Sequence, residues 1–196
     1  MEIAYIGFDP GADGFITICD KDQGEEFTYY AMPTQQEETG KFLKSGKPQT
    51  KPVFSYSGLI ELAIQIKKDF NQHKFVAAIE EVNGRGGWSA TNNFNFGYKA
   101  GAQRMLLEIL KAEIIMVRPQ KWQSFVRKGY ELIKNPSSSG KTMVVDSKAM
   151  AELIATTEYP GQDFRKTERA KKNHDGKCDS FLICLYLMRT YKIKIK

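Results

Sequence analysis

Four carboxylates stand where apolar runs end. Asp9 follows Ile3-Ala4-Tyr5-Ile6-Gly7-Phe8, and Glu80 closes Phe75-Val76-Ala77-Ala78-Ile79. Asp175 and Asp179 stand four apart, just ahead of the apolar run Phe181 to Met188. On a helix that spacing puts both on one face, with Cβ atoms about 5–6 Å apart. The paired negative charges would repel there, and a cation would remove the cost. Oxygen-only donors suit hard divalent ions such as magnesium or manganese. Two ions about 3.5–4 Å apart would activate a water and stabilise the leaving 3′ oxygen at a phosphodiester.

Each acid also has a plain structural role. Asp9 before Pro10 could nucleate a turn, and Glu80 and Glu81 could simply leave the sheet into solvent. Asp175 could cap the last helix, with Asp179 on its exposed face. All four falling at element ends favours a shared site. His174, beside Asp175, is either a metal ligand or proton shuttle, or a polar residue at a helix start. His73 has no motif around it and reads as structural.

The elements needed to position these acids follow from the hydrophobic pattern. Residues 3–9 read as a buried strand, 15–19 as its hairpin partner and 26–32 as a third strand of a meander. Residues 33–54, with Lys41, Lys44, Lys47, Lys51 and three prolines, read as a polar loop or insertion. Ser57 to Phe70 carries helical spacing with Ser57 as a cap. Phe75 to Val82 reads as a strand buried on both faces. A helix over about Phe94 to Lys111, a strand at Ile114–Val117 and a short helix opened by Pro119 follow. Residues 134–146 look mobile, Ser147 to Thr156 helical, and Asp175 to Thr190 is the last helix. The predicted fold is α/β: a mixed five-stranded sheet, a three-strand meander plus two further strands, flanked by helices. One domain spans 1–191, and 192–196 is a basic tail.

Bulk properties narrow the partners. The 196 residues suit one core. The net charge of +6 points to a polyanion such as nucleic acid. Cys19, Cys178 and Cys184 have neither disulfide-framework nor zinc spacing, and a reducing, cytoplasmic setting fits. No membrane span or leader peptide is expected.

The stretches Ile6-Gly7-Phe8-Asp9-Pro10-Gly11, Ala78-Ile79-Glu80-Glu81-Val82 and Asp175-Gly176-Lys177-Cys178-Asp179-Ser180-Phe181-Leu182 resemble the motif series of RuvC-type Holliday junction resolvases. So do Asn95-Phe96-Gly97 with Gly101, Val117-Arg118-Pro119 with Trp122, and Lys148. The acid spacing of four is closer to the mitochondrial and viral branches than to bacterial RuvC. The resemblance implies a ribonuclease-H-like fold. It also implies a homodimer that nicks four-way DNA junctions with magnesium or manganese, two ions per site. Asp9, Glu80, Asp175 and Asp179 would then hold metal, and Lys148 would contact the scissile phosphate. Lys121, Lys141, Lys148, Arg85 and Trp88 are the candidate DNA contacts. Asn83 stands where bacterial RuvC has an aromatic residue. Trp88, Phe94 or Phe96 would replace it, unless Phe94 and Phe96 serve core or dimer packing.

Other readings stay open. Ser139-Gly140-Lys141-Thr142 imitates the end of a P-loop but lacks its first glycine and leading strand. Gly7 to Gly11 also resembles the first phosphate loop of sugar kinases and actin-like ATPases, which need two lobes. A nuclease of the same fold acting on forks, flaps or structured RNA, or a non-catalytic module for branched nucleic acid, would share the basic surface.

Overall fold

The sheet is built outward from β1 (Ile3–Phe8), whose residues are nearly all buried. The computed structural model describes residues 2–10, 13–20, 26–84, 86–87, 89–137 and 139–191. β2 (Phe15–Asp20) pairs antiparallel with β1, and β3 (Glu26–Ala31) antiparallel with β2. On the other side β6 (Lys74–Glu80) runs parallel to β1, and β7 (Glu113–Val117) parallel to β6. The order β3-β2-β1-β6-β7 is the mixed five-stranded sheet anticipated from the apolar runs.

Alternation along the central strands sends residues to two cores. Ala4, Ile6, Phe8, Ala77 and Ile79 pack against Leu59, Ala63 and Ile66 of α1 (Tyr56–Asp69) and Leu106 and Leu107 of α2 (Ala90–Ile109). Tyr5, Val76 and Ala78 pack on the opposite face against α5 (Asp175–Thr190). That helix is flanked by α3 (Pro119–Val126) and α4 (Ser147–Glu158). From Ser180 to Met188 every residue of α5 is buried, as befits a helix enclosed on all sides.

α5 crosses β1 at very short range, and Gly7 permits it. A Cβ on Gly7 would lie 2.1 Å from the Ser180 carbonyl oxygen and 2.2 Å from the Cys184 amide nitrogen. Two buried contacts fix the crossing. The Thr17 and Ser180 hydroxyls are 2.8 Å apart, and Cys184 Sγ donates to the Tyr5 carbonyl at 3.4 Å. Cys19, Cys178 and Cys184 are all free and buried.

The polar stretch expected to be a loop is instead a two-stranded ribbon of β4 (Thr34–Phe42) and β5 (Pro48–Phe54). The apolar pattern gave no strand signal because both of its faces are exposed. The stretch 134–146 likewise contains a small hairpin, β8 (Lys134–Pro136) and β9 (Met143–Val145), rather than only irregular chain. Helix α1 is capped by Ser55, whose hydroxyl accepts from the Gly58 amide at 3.1 Å, not by Ser57. α2 begins at Ala90, earlier than the apolar spacing indicated, because Ser89 caps it. The basic tail 192–196 lies outside the described residues. Among the described residues no helix is long and apolar enough to cross a membrane.

Candidate functional site

The parallel register of β1 and β6 pairs Phe8 with Ile79, so Asp9 and Glu80 emerge next to each other at the carboxyl ends of adjacent strands. The first turns of α5 lie over that edge. Asp9, Asp13, Lys148, Asn173, His174, Asp175, Gly176 and Asp179 line one open groove. A side chain at position 176 would meet Asp9 Oδ2 and the Asp13 carbonyl at 2.8 Å, so glycine there lets the helix start sit against the acid.

Asp179 feels this crowding most. Burial, then repulsion from Asp9, Glu80 and Asp175, pushes its carboxyl up to about 8, with Lys148 opposing. Four acids from β1, β6 and α5 therefore share one electrostatic neighbourhood. Their donor set is oxygen only, which fits a hard divalent cation. The carboxylates do not stand in closed ligand geometry. Among the described residues, one group of three potential ligands has its donor atoms within 4.8 Å of one another, and it is Glu2, Asp20 and His73. Two of the four acids are engaged by other side chains. Lys148 Nζ is ion-paired to Asp175, and Trp122 Nε1 donates to Glu80 Oε2 at 2.9 Å.

Lys148 reaches Asp175 because Asp146 caps α4. The Asp146 carboxylate accepts from the Lys148 and Ala149 amides at 3.1 and 3.0 Å. Asn135 of β8 donates to the same carboxylate at 2.8 Å, so the small hairpin braces the cap. The hydrogen bond to Asp175 raises the Lys148 pKa, which keeps the ammonium charged.

His174 is the residue before α5 and faces the groove. Its Nε2 lies 2.9 Å from Asp13 Oδ2, and its ring packs on Phe15 at 5.0 Å between centroids. Asp13 also pairs with Lys166. Burial raises the Asp13 carboxyl, but the hydrogen bonds from Lys166 and His174 outweigh it and leave the pKa below the usual range. Sequence reasoning passed over Asp13 and Lys166, since an aspartate in a glycine-rich turn carries no distinguishing signal. It also passed over Arg127. Burial lowers that guanidinium's pKa, while Asp179 nearby pulls it back up.

The remaining candidates divide. Lys121 is exposed on α3 and lines a separate groove with Glu113, Phe125 and Tyr191, away from the acids. Lys141 is exposed between β8 and β9. Arg85 and Trp88 lie outside the described residues. Phe94 is 70% exposed and stacks on Tyr98 at 6.2 Å, so it does not belong to the core. Glu81 turns to the surface, where Arg118 Nε donates to it at 3.4 Å. His73 sits at the opposite end of β1, its Nε2 2.9 Å from Asp20 and 3.3 Å from Glu2. That set ties the start of β1 to β2 and β6 and could also accept a cation.

A three-strand antiparallel meander runs on into two parallel strands, with helices on both faces and acids at the carboxyl ends of the two central parallel strands. The fold is ribonuclease-H-like. No family model matches the sequence, and no curated protein sequence does. Solved structures do. A Thermus thermophilus RuvC in complex with Holliday junction substrate aligns with a TM-score of 0.48 and 10% identity over 96% of each chain. A second Thermus thermophilus RuvC structure gives 0.45 and 13%, again over 96% of each chain. The yeast mitochondrial Holliday junction resolvase Ydc2 gives 0.47 and 16%, over 95% of this chain and 77% of Ydc2.

Proposed function

We propose that the protein is a metal-dependent endonuclease that resolves four-way DNA junctions by paired nicking. The carrying observation is the convergence of Asp9, Glu80, Asp175 and Asp179, with Asp179 pushed up to about 8 by burial and by the other three. Such a cluster is costly unless a cation is bound, and its oxygen donors select magnesium or manganese. Asp9, Glu80, Asp175 and Asp179 would hold such an ion, and the chemistry it would supply there is activation of a water and charge stabilisation at the leaving 3′ oxygen. Lys148 exchanges its contact with Asp175 for a non-bridging oxygen of the scissile phosphate. His174 holds the Asp13 carboxylate at the groove's edge through its Nε2.

Substrate choice rests on the motif series and on the net charge of +6, which suits a DNA backbone. Paired nicks need two active sites, and one face of the molecule supports self-association. Tyr56, Ile60 and Ile64 recur every four residues along α1 and are exposed, beside exposed Phe94, Tyr98 and Met105 on α2. Tyr56 packs edge-on to Tyr98 at 5.7 Å, joining the two stripes.

Asp9→Asn tests the reading. The variant is expected to lose metal-dependent cleavage of a four-way junction while binding it as tightly as the parent. Turnover at the parent rate would remove Asp9, and the four-acid site with it, from the chemistry.

A further inference from the structure

The β4–β5 ribbon has no packing reason to exist. It is rooted by Met32 and Phe54, both 5% exposed, and by the Ser55 amide donating to the Pro33 carbonyl at 3.0 Å. Beyond that root nearly every residue of both strands is exposed on both faces. An isolated two-stranded ribbon is marginal in water at best. At about 3.3 Å per residue, the nine-residue β4 reaches on the order of 25 Å.

Its outer part has a definite chemistry. From Thr39 to Lys51 the charged residues are Lys41, Lys44, Lys47 and Lys51, with no acid among them. Lys51 pairs with Glu37 at 3.5 Å, whereas Lys41, Lys44 and Lys47 form no ion pair among the described residues. At the tip, Phe42 is 72% and Leu43 50% exposed. The turn beyond them is closed by the Leu43 amide to the Lys47 carbonyl and the Gly46 amide to the Leu43 carbonyl, both at 2.9 Å.

The ribbon's base adjoins the acid groove. Thr34 and Lys51 to Phe54 line a cleft with Lys99, Lys166 and Asp13, and Asp13 is shared with the groove of the four acids. The cleft thus joins the acid groove to the base of the ribbon; Lys51 is paired with Glu37 there, and beyond Glu38 the ribbon's charged residues are lysines alone.

We propose that the β4–β5 ribbon is a DNA-binding arm, its lysines following the phosphates of a junction arm and Phe42 and Leu43 entering the base stack at the branch. This rests on the nuclease reading above. Charge selects the occupant, since a lysine-only stretch complements a polyanion. Two apolar residues are far too few for a protein interface, which buries about 800 Å² per partner. They are the size of a wedge that enters one base step, and a branch point, already unstacked, lowers the cost of entry.

The test compares wild type with Phe42→Ala/Leu43→Ala and with Lys41→Ala/Lys44→Ala/Lys47→Ala. All these residues are exposed, so the fold should survive both sets. Binding is measured in EDTA to a four-way junction with 2-aminopurine beside the crossover, and to a linear duplex of the same arm sequence. The wedge variant should lose the 2-aminopurine fluorescence increase and about tenfold in junction affinity, with duplex affinity kept. The lysine variant should bind both DNAs more weakly, with a log K against log salt slope smaller by about 2–3. Parental junction binding, fluorescence and salt slope in both variants would overturn the proposal. So would a change in sedimentation without a change in DNA binding, which would make the tip a contact between copies. If wild type bound neither DNA, the nuclease reading itself would fall.

Discussion

Asp179 is a carboxyl whose raised pKa opposes the ionised form that cation binding would require. Its ordinary value of 3.8 in the unfolded chain rises to about 8 in the folded protein, through burial and then repulsion from Asp9, Glu80 and Asp175. The folded state therefore binds a proton that the unfolded state releases. This contribution to stability is fully present below about pH 4 and is lost as pH rises through about 8. In EDTA, the urea midpoint should fall between about pH 5 and pH 9. Magnesium should lessen the fall, because a cation favours the carboxylate and its binding releases the proton. Equal pH profiles with EDTA and magnesium would mean that the cluster holds no ion. The contact of Lys148 with Asp175 leaves an ammonium at the edge of the acids. Lys148→Ala should slow single-turnover cleavage by about 10²-fold with little change in junction affinity. An unchanged rate would reduce Lys148 to a partner of Asp175.

At the scale of elements, the position of α5 on β1 decides whether the acids meet at all. Gly7→Ala would force a Cβ to 2.1 Å from the Ser180 carbonyl oxygen, which is backbone and cannot swing aside. Overpacking of this kind should cost about 1–3 kcal/mol in urea denaturation and weaken cleavage by shifting Asp179 relative to Asp9. Parental stability would show that the crossing adapts freely. Elements with an apolar face were legible in the sequence. β1, β6 and α5 follow from runs such as Phe75 to Ile79 and Phe181 to Met188, and the acids drew notice because Asp9 and Glu80 follow such runs and Asp175 and Asp179 precede one. The β4–β5 ribbon was not, because it buries almost nothing and alternation carries no signal there. Trp122 with Glu80, and Asp13 with Lys166 and His174, join residues far apart in the chain, and no local pattern announces such pairs.

For the whole molecule, the acid groove and basic ribbon lie toward one end of the sheet, while Tyr56, Ile60, Ile64, Phe94, Tyr98 and Met105 expose an apolar face on α1 and α2. If two copies meet there, Ile64→Glu should yield a monomer by sedimentation and convert paired nicks into single ones. A variant that sediments and cuts like the parent would place the contact elsewhere. Junction-dependent, metal-dependent cutting is the activity expected of the whole molecule. The most direct measurement is cleavage of a labelled four-way junction beside a linear duplex and a fork, in magnesium, manganese and EDTA. Paired, symmetric nicks in the junction with either metal and none in EDTA are the expected result. Tight junction binding without cleavage in either metal would contradict it.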